Sequence, residues 1–242
     1  MKLITAIIKQ GHENESFRYT DFYARRIRRL LPPLIATVAV TLLGASFILT
    51  PEDMTPFARS AAAALFSVSN FVFYAESGYW DAASELKPLL HTWSLGVEEQ
   101  FYLFWPALIT WLLTLRKRIP FGASLTLITF AGAALCIVYS TVNPSAAFYL
   151  LPFRVFQFSL GALIIPLSSA LTHTVFARST WLPSASFWLG LSCIGASVFS
   201  FDEATRFPGW AVLLPTTGTA LMLLAGTTRT GLARTPRALM EN

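Results

Sequence analysis

Charge is what this chain lacks. Only 13% of its 242 residues are Asp, Glu, Lys or Arg, against roughly 25% in a soluble domain. Hydrophobic residues make up 54%, and mean hydropathy is +0.55. That shortage excludes an ordinary soluble globule. Cysteine is scarce too: Cys136 and Cys193 both fall in apolar runs, which reads as two small core residues and excludes a disulfide framework. Of the three histidines, His12 sits in a polar N-terminal loop and His173 at the end of an apolar run. Neither has neighbours suited to a metal, so no metal site is expected. There is no internal repeat and no low-complexity tract. Without an inverted repeat a transporter has little support. The opening residues lack the charged-then-apolar pattern of a cleavable leader.

What the chain has in place of charge is long apolar runs. A bilayer span needs roughly 20 mostly apolar residues, and candidate segments occur at residues 30–49, 57–74, 101–115, 122–142, 150–171, 181–201 and 208–226. The third becomes long enough if its helix begins near Leu89. Pro and Gly lie within several of these runs, which spanning helices tolerate. The expected fold is all-α, a polytopic transmembrane helical bundle of about seven hydrophobic segments. Residues 1–242 would form a single membrane-embedded domain, entered through a polar segment at residues 1–21.

The net charge of +5 does not indicate nucleic acid, because the cations gather at the ends of spans. Arg25, Arg26, Arg28 and Arg29 precede the first, and Arg116, Lys117 and Arg118 follow the third. His173 and Arg178 follow the fifth, and Arg229, Arg234 and Arg237 follow the last. This is the pattern of cytoplasmic flanks. From Arg116 onward the orientation is self-consistent, but the middle does not close. Two basic clusters on one side require an even number of crossings between them, and three apolar segments intervene. Either residues 57–74 are not a full crossing, or residues 86–100 re-enter and turn back, or the charge bias fails locally.

The most informative stretch is residues 89–106, LLHTWSLGVEEQFYLFWP. Ionisable groups at membrane depth cost about 2.5–3.5 kcal/mol each on insertion, and this stretch holds three. If residues 89–115 are helical, the 100° step puts His91, Leu95, Glu98, Tyr102 and Trp105 on one face. Glu99 flanks that face, and Gln100 points away. His91 and Glu98 are two turns apart. An imidazole and a carboxylate lining one cavity could move a proton between an acceptor hydroxyl and a leaving group. Equally, Glu98 and Glu99 could bond to other helices and hold the bundle together. In FYARRIRRLLPP, residues 22–33, Arg25, Arg28 and Arg29 share a face, and Asp21 can pair with Arg25 at i,i+4. These arginines either grip the phosphates of a cofactor such as coenzyme A or anchor to anionic headgroups. In PFRVFQFSLG, residues 152–161, Arg154 either snorkels to the interface or faces inward to meet Glu98 or Glu99, with Gln157 one turn on.

Together these stretches resemble the acyltransferase-3 family, bacterial integral-membrane O-acyltransferases of lipopolysaccharide, peptidoglycan and other glycans. The matching residues are FYARRIRRLLPP at 22–33, GYWDAASELKPLLHTWSLGVEEQFYLFWP at 78–106, FRVFQFSLGAL at 153–163 and FDEATRFPGWAVLLPTTGTALMLLAG at 201–226. The resemblance implies transfer of an acyl group, commonly acetyl from acetyl-CoA, to a sugar hydroxyl. The acceptor would be a cell-envelope glycan or a lipid-linked sugar, and the enzyme would sit in the bacterial inner membrane. By that analogy His91, Glu98 and Glu99 are catalytic candidates, and Arg25, Arg26, Arg28 and Arg29 contact the acyl-CoA donor. Trp93, Ser94, Tyr102, Arg154 and Gln157 would be supporting residues. Family members begin with a span carrying an arginine and, ten residues later, a histidine; the opening MKLITAII resembles the end of the span that follows it. The chain therefore reads as an internal piece, without the first span and the C-terminal spans. A partner chain supplying them is one expectation, and an incompetent fragment another. Many members have Glu where this chain has Gln157.

Overall fold

The computed structural model describes residues 4–6, 8, 17–77, 87–116, 118–173, 179, 181–202 and 205–227. His12, the connector with Asp81 and Glu85, Lys117, Arg178, the basic tail and the side chain of His173 lie outside the described residues. The chain divides into two compact units, one of residues 10–110 with 149–151, the other of 1–9, 111–148 and 152–242.

The first unit opens with α1, Tyr19–Ile48, which at 1.5 Å per residue is about 45 Å long. Its buried residues Leu34, Val38 and Ala45 recur at helical spacing, a stripe that seeks a partner. Helix α2, Pro51–Leu65, begins where Thr50 accepts a hydrogen bond from the Asp53 amide, with proline in the first turn, where its missing N–H costs nothing. Leu34, Val38 and Ala45 of α1 pack on Phe57, Ala61 and Ala64 of α2, with Leu89 closing the cluster. The alanines let the two backbones approach closely.

Residues 57–74, expected as a single run, are two helices. Helix α2 stops at Leu65, and α3, Ser69–Glu76, starts anew. Between them Ser67 has φ +56°, a left-handed conformation that a right-handed helix of L-residues does not propagate. Helix α4, Thr92–Leu115, follows, with its residues up to 110 in this unit, and carries Glu98 and Glu99.

The second unit contains α5, Phe121–Val142, the short α6, Pro144–Tyr149, at its edge, a 3-10 turn at Leu151–Phe153, α7, Val155–His173, α8, Leu182–Ser200, and α9, Leu213–Ala225. Helix α5 packs on α7 with the buried Thr129 and Ser159 hydroxyls 2.9 Å apart. Helices α8 and α9 meet at two glycines: a Cβ at Gly190 would fall 2.5 Å from the Gly218 carbonyl oxygen.

Helices α1, α5 and α8 are long and apolar enough to cross a membrane, and Val155–Leu171 and α9 are shorter apolar helices. Their outward residues include many large apolar ones, among them Val40, Phe47, Phe130, Val138, Trp188 and Phe199. Several polar side chains, including Asn70, Thr129, Arg154 and Ser159, are buried. This is an all-α membrane protein.

Candidate active site

Helix α4 places Glu98, Glu99 and Gln100 in succession, so at 100° per residue they fan over about 200°. The two carboxylates meet α1. Arg26 reaches Glu99 Oε1 through Nη2 at 3.1 Å and through Nε at 3.2 Å, and its Nη2 lies 3.7 Å from Glu98 Oε1. The Tyr102 hydroxyl, one turn along, donates to Glu98 Oε1, and the Arg26 guanidinium lies over the Tyr102 ring. Two more tyrosines tie the helices together. Tyr23 donates to the Leu103 carbonyl at 2.8 Å, and Tyr19 to Thr110 Oγ1 at 3.1 Å. One guanidinium thus pairs closely with one carboxylate and shares itself with the other. Glu98 is the more open of the pair, with a side chain 42% exposed against 23% for Glu99.

The arginine cluster splits. Arg26 follows Phe22 by one turn and so falls on the buried side of α1, whereas Arg25, Arg28 and Arg29 are exposed. Asp21 pairs with Arg18 at 3.7 Å instead of the expected Arg25; both side chains are exposed, and the i,i+3 neighbour is as accessible as the i,i+4 one.

His91 occupies the turn just before α4 and is exposed, as is Ser94, whose hydroxyl donates to the His91 carbonyl at 3.0 Å. Among the described residues the ionic cluster forms from Arg26, Glu98, Glu99 and Tyr102, without His91. The expected shared face is also divided. Trp105 is buried and stacks on Phe101 at 4.4 Å, and Leu95 packs on the α1–α2 cluster. Trp93 meets Tyr149 edge to face at 5.5 Å.

In the second unit Arg154 faces inward, not toward the interface. It is buried, its Nε donates to the Phe148 carbonyl at 2.9 Å, and its guanidinium lies 4.9 Å from the Phe148 ring and 5.7 Å from the Phe207 ring. The partner that Glu98 and Glu99 required is Arg26. Gln157 donates to Thr216 Oγ1 at 3.4 Å, beside a cavity of about 310 Å³ between α7 and α9 that Leu160, Phe207, Pro215 and Leu223 also line.

Asn70 was not among the expected site residues. It is fully buried on α3; its Oδ1 accepts from Gln100 Nε2 at 2.7 Å and its Nδ2 donates to the Tyr149 carbonyl at 3.1 Å. The signal was available: an amide inside an apolar run must find partners, because burying it unpaired costs about 1–3 kcal/mol.

The family described as an acyltransferase domain matches residues 14–237. A Komagataeibacter xylinus protein, BcsY, provisionally named a membrane-bound transacylase, is 30% identical across 89% of this chain and 53% of its own length. Bacillus subtilis YrhL, provisionally named a peptidoglycan O-acetyltransferase, is 28% identical across 92% of this chain and 36% of its own. The O-acetyltransferase OatA of Staphylococcus aureus is 30% identical across 67% of this chain and 27% of its own. The chain spans about half, or less, of the length of these curated relatives. No solved structure matches it.

Proposed function

The chain belongs to the acyltransferase-3 family, and from that premise we propose that it is the body of a bacterial inner-membrane O-acyltransferase. It moves an acyl group, acetyl in the simplest case, from acyl-CoA to a hydroxyl of a cell-envelope glycan or lipid-linked sugar. What supports the reading is the ionic cluster Arg26–Glu99–Glu98–Tyr102 in a chain matched by an acyltransferase domain over residues 14–237.

Attack of the acceptor oxygen on the thioester carbonyl releases a proton from the hydroxyl and expels the coenzyme A thiolate, which takes up a proton. Glu98 is the carboxylate suited to accept the first proton, being the more open of the pair and oriented by Tyr102. Glu99 is committed to Arg26, which holds the pair together. His91, exposed ahead of α4, is a second candidate for proton transfer. Arg25, Arg28 and Arg29 present three exposed guanidinium groups on one face, suited to the phosphates of the donor.

The test is transfer of label from radiolabelled acetyl-CoA to glycan in membranes containing the chain, with release of the label by mild alkali marking an O-ester. Glu98→Gln is expected to lower kcat by about 10²–10⁴-fold, the usual contribution of a general acid–base. Replacing Arg25, Arg28 and Arg29 together by Gln should raise KM for acetyl-CoA by about tenfold or more, since each charge-assisted bond contributes about 1.5–3 kcal/mol. Full activity of Glu98→Gln, or no transfer from well-inserted protein in any combination, would overturn the assignment. Activity that appears only on co-expression with a second membrane chain would mark the protein as one part of a two-chain enzyme.

A further inference from the structure

The side of α4 opposite the carboxylates is held as firmly as the carboxylate side. Gln100 Nε2 donates to Asn70 Oδ1 at 2.7 Å and to the Ser67 carbonyl at 3.1 Å, and Asn70 passes the contact on to the Tyr149 carbonyl. One turn before Gln100, Gly96 makes the approach possible. A Cβ there would lie 3.0 Å from Asn70 Oδ1 and 3.2 Å from the Ser67 carbonyl oxygen. At the start of both helices Ser69 Oγ donates to the Thr92 carbonyl at 2.9 Å. Ser67 is the residue with positive φ in the α2–α3 break. A broken helix leaves backbone carbonyls without intrahelical partners, and Gln100 supplies one.

We propose that Asn70 is a positioning residue for the acyl-transfer site: with Gln100 it fixes the rotation and depth of α4, and so sets where Glu98 and Glu99 stand against Arg26. This rests on the assignment of the reaction to that cluster. The physical argument is geometric. Glu98, Glu99 and Gln100 are consecutive, so any rotation of α4 that shifts the amide shifts both carboxylates by the same angle. Arg26 alone does not fix that angle, because a guanidinium on a long side chain can follow a carboxylate. The amide pair is short, fully buried at Asn70, and satisfied on three sides, two of them backbone carbonyls that do not swing. The α2–α3 break is then the feature that exposes the Ser67 carbonyl to α4, which an unbroken helix would have consumed internally.

The experiment compares Asn70→Leu, Asn70→Leu/Gln100→Met and Glu98→Gln in the full chain, with Cys136 and Cys193 replaced by alanine. Three quantities are read: kcat and KM for acetyl-CoA, unfolding temperature in detergent, and the distance between nitroxides at the exposed Ile27 of α1 and Leu103 of α4. Asn70→Leu should lower kcat about 100-fold, the effect of a displacement near 1 Å at a reacting group, with KM unchanged and the nitroxide distance shifted or broadened. The double variant removes both amides but leaves the Ser67 and Tyr149 carbonyls without them, so it recovers neither unfolding temperature nor kcat. Recovery of kcat together with stability would overturn the positioning role, as would an unchanged distance and unchanged kcat in Asn70→Leu. Glu98→Gln with full activity, beside a shifted distance in Asn70→Leu, would instead remove the site assignment itself and leave the clamp with no part in the reaction.

Discussion

At the scale of single residues, Arg26 is the reason two adjacent carboxylates persist between apolar helices. Its side chain is 17% exposed, so little water screens the interaction. Removing one partner of a buried pair costs about 3–5 kcal/mol because the other is left uncompensated. Arg26→Met should therefore lower stability by about 3 kcal/mol, the low end of that range for a partly buried pair. Arg26→Met/Glu99→Met should regain part of it, since only Glu98, the more exposed carboxylate, is then left without the guanidinium. Thermal unfolding in detergent reads both; equal losses in the two variants would contradict this account. The sequence put Arg25, Arg28 and Arg29 on one helical face and Arg26 off it, but left open which side meets the carboxylates. Only the phase of α1, with Phe22 buried one turn earlier, separates the residue that meets the carboxylates from the three that stay exposed.

At the scale of elements, glycine decides how closely α8 and α9 approach. Built at Gly190, a Cβ would lie 2.5 Å from the Gly218 carbonyl oxygen, and built at Gly218, 2.7 Å from the Gly190 carbonyl oxygen. Backbone cannot swing aside as a flexible side chain can. Gly190→Val is expected to destabilise by about 1–3 kcal/mol, the range for overpacking. Gly195 lies on the same helix with nothing within 4 Å of an added Cβ. Gly195→Ala should be neutral or stabilising by up to about 1 kcal/mol, from helix propensity alone. Unfolding temperatures of the two variants, measured side by side, check the contrast. The apolar runs announced both helices, but not which glycine is a contact and which faces outward. Mean hydropathy carries no information on rotation about the helix axis.

At the scale of the whole molecule, the break at residues 66–68 bears on how the chain threads the membrane. Helix α2 has 15 residues and α3 has 8, about 22 Å and 12 Å at 1.5 Å per residue, and neither alone crosses a hydrocarbon core of about 30 Å. If the basic clusters at residues 25–29 and 116–118 lie on one side, as the charge bias expects, two crossings between them suffice, one by α1 and one by residues 92–115. Cysteines placed at Glu52 and Ser77, in a chain without Cys136 and Cys193, should react with an impermeant maleimide from the same side, opposite to one placed at Arg25. Labelling of residues 52 and 77 from opposite faces would make residues 57–74 a crossing despite the break.

The sequence by itself determined that this protein is helical and belongs in a membrane, because a shortage of charge and a succession of apolar runs leave a bilayer as the compatible solvent. It also marked residues 89–106 as the place of interest, since carboxylates at membrane depth need a compensating partner whatever the fold. The identity of that partner was decided by tertiary structure. Arg154, the partner the sequence offered, is held by a backbone carbonyl and two aromatic rings, while Arg26 meets the acidic pair. The break at Ser67 and the Asn70–Gln100 pair that braces it belong to the same class. A hydrogen bond between side chains 30 residues apart leaves no periodic trace, and a left-handed serine inside an apolar run looks, in one dimension, like any other serine.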